Sequence, residues 1–160
     1  MKRVGMMHGR FGERGQAVIE TTFMLPFLFM LLMAFGEFGI GFYTAVTVNN
    51  AASEAARFAS VGNLPGCNTN QVQGHAVEIS SSRLQCADVT VNYPDGNTKR
   101  GAAVAVHITH TYTALTPFPR LIDFVTGGAW GFESWPIGAC SEARLESDFT
   151  VPSPTTGTGC

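Results

Sequence analysis

The sequence predicts an α+β protein in which a long N-terminal transmembrane helix is followed by a small head with an antiparallel sheet. Residues 16–43 form an apolar stretch that only Glu20 and Glu37 interrupt. Further along, short runs of alternating apolar residues are separated by turn residues, as in antiparallel strands. The chain has 160 residues, enough for one domain, and only 14% of them are charged, against roughly 25% in soluble proteins.

The apolar stretch predicts a membrane span. No charged residue occurs from Thr21 to Gly36, and about 20 residues at about 1.5 Å each cross a hydrocarbon core of roughly 30 Å. A buried core helix is excluded because the stretch is apolar on every face and so small a chain cannot surround it. Pro26 is tolerated in a membrane helix, where we expect it to cause a kink.

Charge orients the span. Residues 1–15 hold four basic residues and one acidic residue, a balance of +3, whereas residues 16–160 hold six basic and eleven acidic residues, a balance of −5. Positive flanks stay in the cytoplasm, which places the head outside it. The total of −2 argues against a nucleic-acid partner. A cleaved secretory signal is the competing interpretation, but its apolar region would be shorter and followed promptly by a small-residue cleavage site.

Four segments are expected along the chain. They are a basic cytoplasmic leader (1–15), a transmembrane and extended helix (16–61), an extracytoplasmic α+β head (62–150) and a flexible tail rich in Pro, Thr and Gly (151–160).

Glu37 lies 17 residues beyond Glu20, about 26 Å along the axis, so we expect it to be solvated at the outer interface.

Small residues along this helix predict close packing. Gly36, Gly39 and Gly41 would let neighbouring membrane helices approach, although glycine is also simply common in membrane helices. Ala52 and Ala56 belong to a stripe of small residues above the span. That stripe would pack against either a neighbouring helix or the chain's own head, and the head is the favoured choice.

The head is predicted to contain one short helix and three strands. The expected elements are a helix within Gln71–Leu84 and strands at Val89–Tyr93, Ala102–Tyr112 and Ala139–Phe149. The first two strands form a hairpin around a Pro-Asp-Gly-Asn turn. The apolar segment Leu121–Val125, with the aromatic residues after it (Trp130, Phe132, Trp135), would fill the small core, or else lie against the membrane surface or a partner.

Four cysteines follow the span, and outside the cytoplasm an even number favours disulfides. Three pairings are possible, and we prefer Cys67–Cys86 with Cys140–Cys160 because both loops are short. A zinc site is the alternative, but the sequence has no Cys-x-x-Cys pair. His107 and His110 would point to opposite faces of a strand, so no metal site is predicted there.

No motif for catalysis or phosphate binding occurs, so no catalytic residue, cofactor or small-molecule substrate is predicted. An anchored enzyme with an unrecognised site in the head is the rival hypothesis.

Glu20 is the residue in the span that most strongly suggests a function. An acid within a membrane segment is costly unless it is paired or lies at the interface, and Glu20 follows Arg14 by only six residues. If a peptidase cut after Gly15, Gln16 would carry a free α-amine. The amine of one chain would then pair with Glu20 of the next, because unpaired charges in lipid are unfavourable.

The N-terminal third resembles the TadE-like family, the minor pseudopilins of tight-adherence (Flp-type) pilus systems. The resemblance covers residues 14 to about 60. It is carried by Arg14-Gly15-Gln16, Glu20, Leu25-Pro26, Glu37-Phe38-Gly39, Phe42-Tyr43, Asn50-Ala51-Ala52 and Ala56-Arg57. Related major pilins carry an aromatic residue where this chain has Thr21.

The resemblance implies a pseudopilin-like fold and cleavage between Gly15 and Gln16 by a prepilin-type peptidase that requires Glu20. It also implies a single-pass protein of the bacterial inner membrane that acts in pilus assembly with other pilin subunits, its head in the periplasm or in an extracellular pilus. The alternative is an unprocessed periplasmic binding or scaffold module that stays anchored and never enters a filament.

Overall fold

The computed structural model describes residues 11–128, 133–152 and 154–160, and side chains from residue 15 onward. The helices are α1 (Phe11–Ser60), α2 (Val72–Ile79) and α3 (Phe118–Thr126), and the strands are β1 (Val89–Asn92), β2 (Ala103–Thr113) and β3 (Ser134–Arg144). A long apolar helix followed by a small head with a three-stranded antiparallel sheet confirms the predicted α+β class.

Helix α1 runs unbroken through Pro26 to Ser60. Near the proline, the hydroxyls of Thr21 and Thr22 donate to the carbonyls four residues earlier, at 2.8 and 2.7 Å. This internal bonding leaves both side chains compatible with lipid. The helix ends where Gly62 takes a left-handed conformation, with φ of 100°, which glycine adopts without steric cost.

The sheet has the order β1-β2-β3, and both pairs are antiparallel. The predicted β1–β2 hairpin is confirmed, with Val89 opposite Ile108. The carboxylate of Asp95 accepts a 2.8 Å hydrogen bond from the Ala103 N–H and closes the turn.

The predicted position of the last strand was wrong by five residues, since β3 begins at Ser134 rather than Ala139. The whole length of β2 pairs with β3, including Thr111 with Pro136. A proline fits there because β3 is an edge strand. Residues 145–149 were expected to extend the strand but leave it, and the Glu146 N–H bonds to the Ser60 carbonyl at 2.9 Å.

The core lies between the upper half of α1 and one face of the sheet. Small side chains of α1 at Ala51, Ala52, Ala55, Ala56 and Ala59 are each at most 1% exposed. Because they are small, they let the sheet residues Val104, Val106 and Ile108 pack directly against the helix. The small-residue stripe is therefore covered by the chain's own head, the favoured alternative.

Two disulfides join the head, in the pairing preferred from the sequence. Cys67 is bonded to Cys86, and Cys140 to Cys160, each with a Cα–Cα distance of 5.7 Å. The first bridge ties the loop after α1 to the entry of β1. The second holds the end of the 151–160 tail on β3. Earlier in the tail, the Thr155 carbonyl accepts a 2.9 Å hydrogen bond from the N–H of Tyr93, the residue after β1.

Helix α3 was missed in the apolar segment around Leu121–Val125. Pro119 near its start and Gly127 after its end, with φ of 67°, are typical boundary residues of a helix. The expectation that this segment fills the core was wrong for Leu121, Phe124 and Val125, which are 44%, 85% and 75% exposed. Trp135 does pack against the core, whereas Trp130 and Phe132 lie outside the described residues.

Candidate functional site

The residues expected to act in processing and assembly lie on the lower part of α1. Gly15, Gln16 and Glu20 are all exposed, and the bond between Gly15 and Gln16 lies within the helix. Gln16 and Glu20 are four residues apart, so they share one face. Within the described part of the chain, no donor bonds to the Glu20 carboxylate. The basic leader is mostly outside the described residues.

On both sides of Glu20, α1 presents apolar side chains in all directions. The exposed side chains include Val18, Ile19, Phe23, Met24, Leu25, Phe27, Leu28, Phe29, Leu31, Leu32 and Phe35, each at least 40% exposed. The helix is long and apolar enough to cross a membrane, and none of its most apolar window is buried in the head. Residues 17–36, about 30 Å at about 1.5 Å each, are therefore taken as the segment in contact with lipid.

The three glycines predicted to pack against other helices have different surroundings. Gly36 and Gly39 are exposed, and a Cβ at either would meet nothing within 4 Å. Gly41 is buried, and a Cβ there would lie 3.2 Å from the ring of Trp135. Ala52 and Ala56 face the chain's own head. Gly36 and Gly39 are therefore the two of these five predicted residues whose surface is open to another subunit.

Glu37 is the largest departure from the sequence analysis, because it is buried rather than solvated, with only 4% of its surface exposed. Its Oε1 accepts hydrogen bonds from the hydroxyl of Tyr112 at 2.7 Å and the N–H of Leu115 at 3.0 Å. Its Oε2 accepts one from the N–H of Thr116 at 2.8 Å. Three donors offset the cost of burying the carboxylate, and no cation among the described residues lies against it.

Tyr112 is held between this carboxylate and the core. Its ring packs on Trp135 with centroids 4.7 Å apart. Burial, the hydrogen bond to Glu37 and the negative charge of that residue raise the pKa of Tyr112 to about 12. The hydroxyl therefore stays protonated near neutral pH and remains a donor to Glu37.

These contacts join the head to α1 immediately above the segment in contact with lipid. We call Glu37, Tyr112, Leu115 and Thr116 the Glu37 clamp. Because two of its donors are backbone N–H groups between β2 and α3, the clamp fixes where the chain leaves the sheet. Sequence reasoning had no signal for it, since Glu37 and Tyr112 are 75 positions apart and the other donors carry no side-chain signature.

An apolar cleft of about 380 Å³ opens beside the clamp, between α1, α3 and β3. Phe38 and Phe42 of α1, Ile122 of α3 and Trp135 of β3 line it. Its walls offer little hydrogen bonding, so its surface suits apolar groups.

The candidate metal ligands form a different group. Ligand atoms of His107, Cys140 and Cys160 lie within 4.8 Å of one another, but the two sulfurs are bonded to each other. Disulfide sulfurs are not thiolates, which are the form that binds zinc. His110 instead contacts Asp88 at 3.1 Å.

Comparison with known proteins identifies one segment. Residues 15–57 match the family model described as TadE-like protein. No curated protein and no solved structure matches the chain. The matched segment contains Glu20, the segment in contact with lipid and Glu37, whereas the sheet and α3 lie outside it. The TadE-like family is a family of structural components in pilus assembly and is not known as enzymatic. The chain therefore carries a TadE-like segment at residues 15–57, on a helix that is long and apolar enough to cross a membrane.

Proposed function

We propose that this chain is a minor pseudopilin-like subunit in tight-adherence pilus assembly, cleaved between Gly15 and Gln16 by a prepilin-type peptidase. The single observation that carries the proposal is the match of residues 15–57, which contains the acid and both residues of the cleavage site. The helix anchors the subunit in the inner membrane by a single pass. Its leader faces the cytoplasm, and its head faces the periplasm or is carried into a pilus.

In this proposal the carboxylate of Glu20 pairs with the α-amine of Gln16 in a neighbouring subunit. The exposed position of Glu20 within an apolar helix surface supports it, because a carboxylate in lipid is favourable only with a partner. The open surface at Gly36 and Gly39 supports contact with a second helix at the upper end of the span and just above it. Subunits aligned by the Glu20 pair would therefore be in register both at Glu20 and at the two glycines.

The test is cross-linking in native membranes of cells that make the whole pilus system. A Val18→Cys variant places a reactive thiol two residues from Glu20 on the exposed helix. We expect oxidation with copper phenanthroline to link neighbouring subunits. Adding Glu20→Gln, which removes the charge and keeps the shape, should abolish the link.

Glu54→Gln is the matched control, since Glu54 is an exposed acid of the same helix that pairs with Arg57 above the span. It should leave the link unchanged. Equal cross-linking with and without the Glu20→Gln substitution would contradict the pairing.

One observation favours a second candidate, an unprocessed periplasmic binding or scaffold module. Helix α1 begins at Phe11, so the bond after Gly15 lies inside a helix, a conformation that peptidases do not readily cut. In that case the full leader would remain on the protein, and Glu20 would lie at the interface with the cytoplasm. The N-terminal residue of the membrane-extracted protein separates the two candidates.

A further inference from the structure

Helix α3 has an apolar surface that the head does not use. At about 100° per residue, Phe118, Leu121, Ile122, Phe124 and Val125 occupy an arc of about 160° on the helix. The inner side of the arc lines the cleft against α1. The outer side, Leu121, Phe124 and Val125, is exposed. Exposed apolar residues are ordinary when scattered singly, but three on one short helix form a continuous surface.

The Glu37 clamp fixes the level of this helix along α1. Glu37 is the first residue beyond the segment in contact with lipid, and it holds the N–H groups of Leu115 and Thr116. Helix α3 begins two residues later, at Phe118, and lines the cleft together with Phe38 and Phe42. It therefore lies beside the first turns of α1 above the hydrocarbon core, at the level of the lipid headgroups.

The apolar surface is continuous from the span to α3. Phe35, Phe38 and Phe42 of α1 are 67%, 75% and 65% exposed at this level. Leu115, which joins β2 to α3, is 77% exposed. Because the lower part of this surface is in lipid, its upper part meets the same lipid unless the head tilts away. The clamp opposes such a tilt.

We propose that α3 is an interfacial helix that rests on the outer leaflet of the membrane crossed by α1, with Leu121, Phe124 and Val125 in the boundary between headgroups and acyl chains. An amphipathic helix with one apolar face is the ordinary form of such an element. Lipid rather than a protein is the occupant because the face continues the surface of the span. The helix fixes the head in one orientation on the membrane, by two points of attachment instead of one.

The polar side of α3 indicates how it binds. Arg120 pairs with Glu133 at 2.9 Å, and Asp123 adds an acid, so the helix presents no unpaired cation among its described residues. Attraction to anionic headgroups therefore contributes little, and the apolar side chains carry the contact. Binding should then be the same on zwitterionic and on anionic lipid.

The test measures the depth of single residues in the full-length protein reconstituted in vesicles. A Phe124→Cys variant carries an environment-sensitive fluorophore, and since Phe124 is 85% exposed the change leaves the core intact. Thr126→Cys, on the polar side of the same helix, is the matched control. Lys99→Cys reports from the turn at the other end of β2, about 30 Å away at about 3.3 Å per residue.

Lipids with a spin label near the headgroup should quench the probe at residue 124 strongly and the probes at residues 126 and 99 weakly. Aqueous iodide should show the reverse order. Phosphatidylcholine vesicles and vesicles with added phosphatidylglycerol should give the same result.

Equal iodide quenching at residues 124 and 99 would overturn the proposal. A second result would also overturn it: the probe at residue 124 is protected from iodide but is not quenched by the labelled lipid, and the protection increases with protein density in the vesicle. A second copy of the chain would then cover α3. The proposal does not depend on cleavage after Gly15, so an unprocessed protein leaves it intact.

Discussion

Replacing Glu37 by glutamine tests whether the Glu37 clamp holds the head to the membrane helix. The variant keeps one oxygen as acceptor and puts an NH₂ group where the other oxygen stood. If the oxygen stays with Tyr112 and Leu115, the NH₂ faces the N–H of Thr116, and a buried donor loses its acceptor. If the amide is flipped, the hydroxyl of Tyr112 and the N–H of Leu115 lose their acceptor instead.

The magnitude follows from what is left unpaired. A hydrogen bond to a charged group contributes about 1.5–3 kcal/mol, and an orphaned buried donor costs about 1–3 kcal/mol. We therefore expect Glu37→Gln to weaken the clamp by about 2 kcal/mol, which corresponds to roughly thirtyfold in the local opening equilibrium. Glu37→Ala removes all three acceptor contacts and should cost more.

Hydrogen exchange of the backbone amides of Leu115 and Thr116, in the protein reconstituted in lipid, is the assay. Exchange at these amides should accelerate in Glu37→Gln, while the central β2 amide of Val106 should change much less, since local openings are independent of the sheet. Glu54→Gln, an exposed acid on the same helix, should alter neither. Unchanged protection at Leu115 and Thr116 in Glu37→Gln would refute the reasoning.

Three further outcomes are expected. Gly41→Val should lower the melting temperature, because its side chain crowds the ring of Trp135, and overpacking of this kind costs about 1–3 kcal/mol. The free energy of unfolding should fall as pH rises from about 10, the unfolded pKa of tyrosine, towards about 12, the folded pKa of Tyr112. When unfolding is followed across this pH range, Tyr112→Phe should show a smaller fall. Replacing Cys67 and Cys86 by alanine should lower the free energy of unfolding by about 3 kcal/mol in denaturant titrations, because a 19-residue loop is no longer closed.

Each of these outcomes has a control. Gly39→Val should leave the melting temperature unchanged, since a Cβ at Gly39 meets nothing within 4 Å, and an equal loss at both glycines would contradict the packing argument. An equal alkaline loss in the unmodified protein and in Tyr112→Phe would contradict the assignment of that loss to Tyr112. For the bridge, reduction of the unmodified protein should lower the free energy of unfolding by at least as much, because it opens both disulfides. An unchanged free energy of unfolding after reduction would contradict the argument.

Features set by local signals could be predicted from the sequence. The apolar run gave α1, alternation around a Pro-Asp-Gly-Asn turn gave the β1–β2 hairpin, and the short spacings between cysteines gave both bridges. Each of these depends on residues within about 20 positions of one another.

Features set by contacts between distant residues could not be predicted from the sequence. The start of β3 follows from the length of β2, because Ser134, the first residue of β3, pairs with Thr113, the last residue of β2. Helix α3 was hidden because its nine residues begin near two prolines and give only a short periodic pattern. Glu37 was expected in water because neither its tyrosine partner nor the two backbone donors can be identified from spacing.

The candidate assembly residues are a separate case. Gly15, Gln16 and Glu20 lie on an exposed helix surface, so their expected roles depend on a peptidase and on other subunits. Their function in the assembly stays a prediction from the family resemblance.

The N-terminus of the membrane-extracted protein is the most direct test of the proposed function. The protein should be extracted from cells with and without a prepilin-type peptidase, and its intact mass measured with the disulfides preserved. The unmodified chain is compared with Gly15→Leu, and Gly12→Leu is the matched control in the leader. The account predicts a protein that begins at Gln16, except where the peptidase is absent or Gly15 is replaced. A protein that keeps residues 1–15 in the presence of the peptidase would contradict it and establish a permanent anchor.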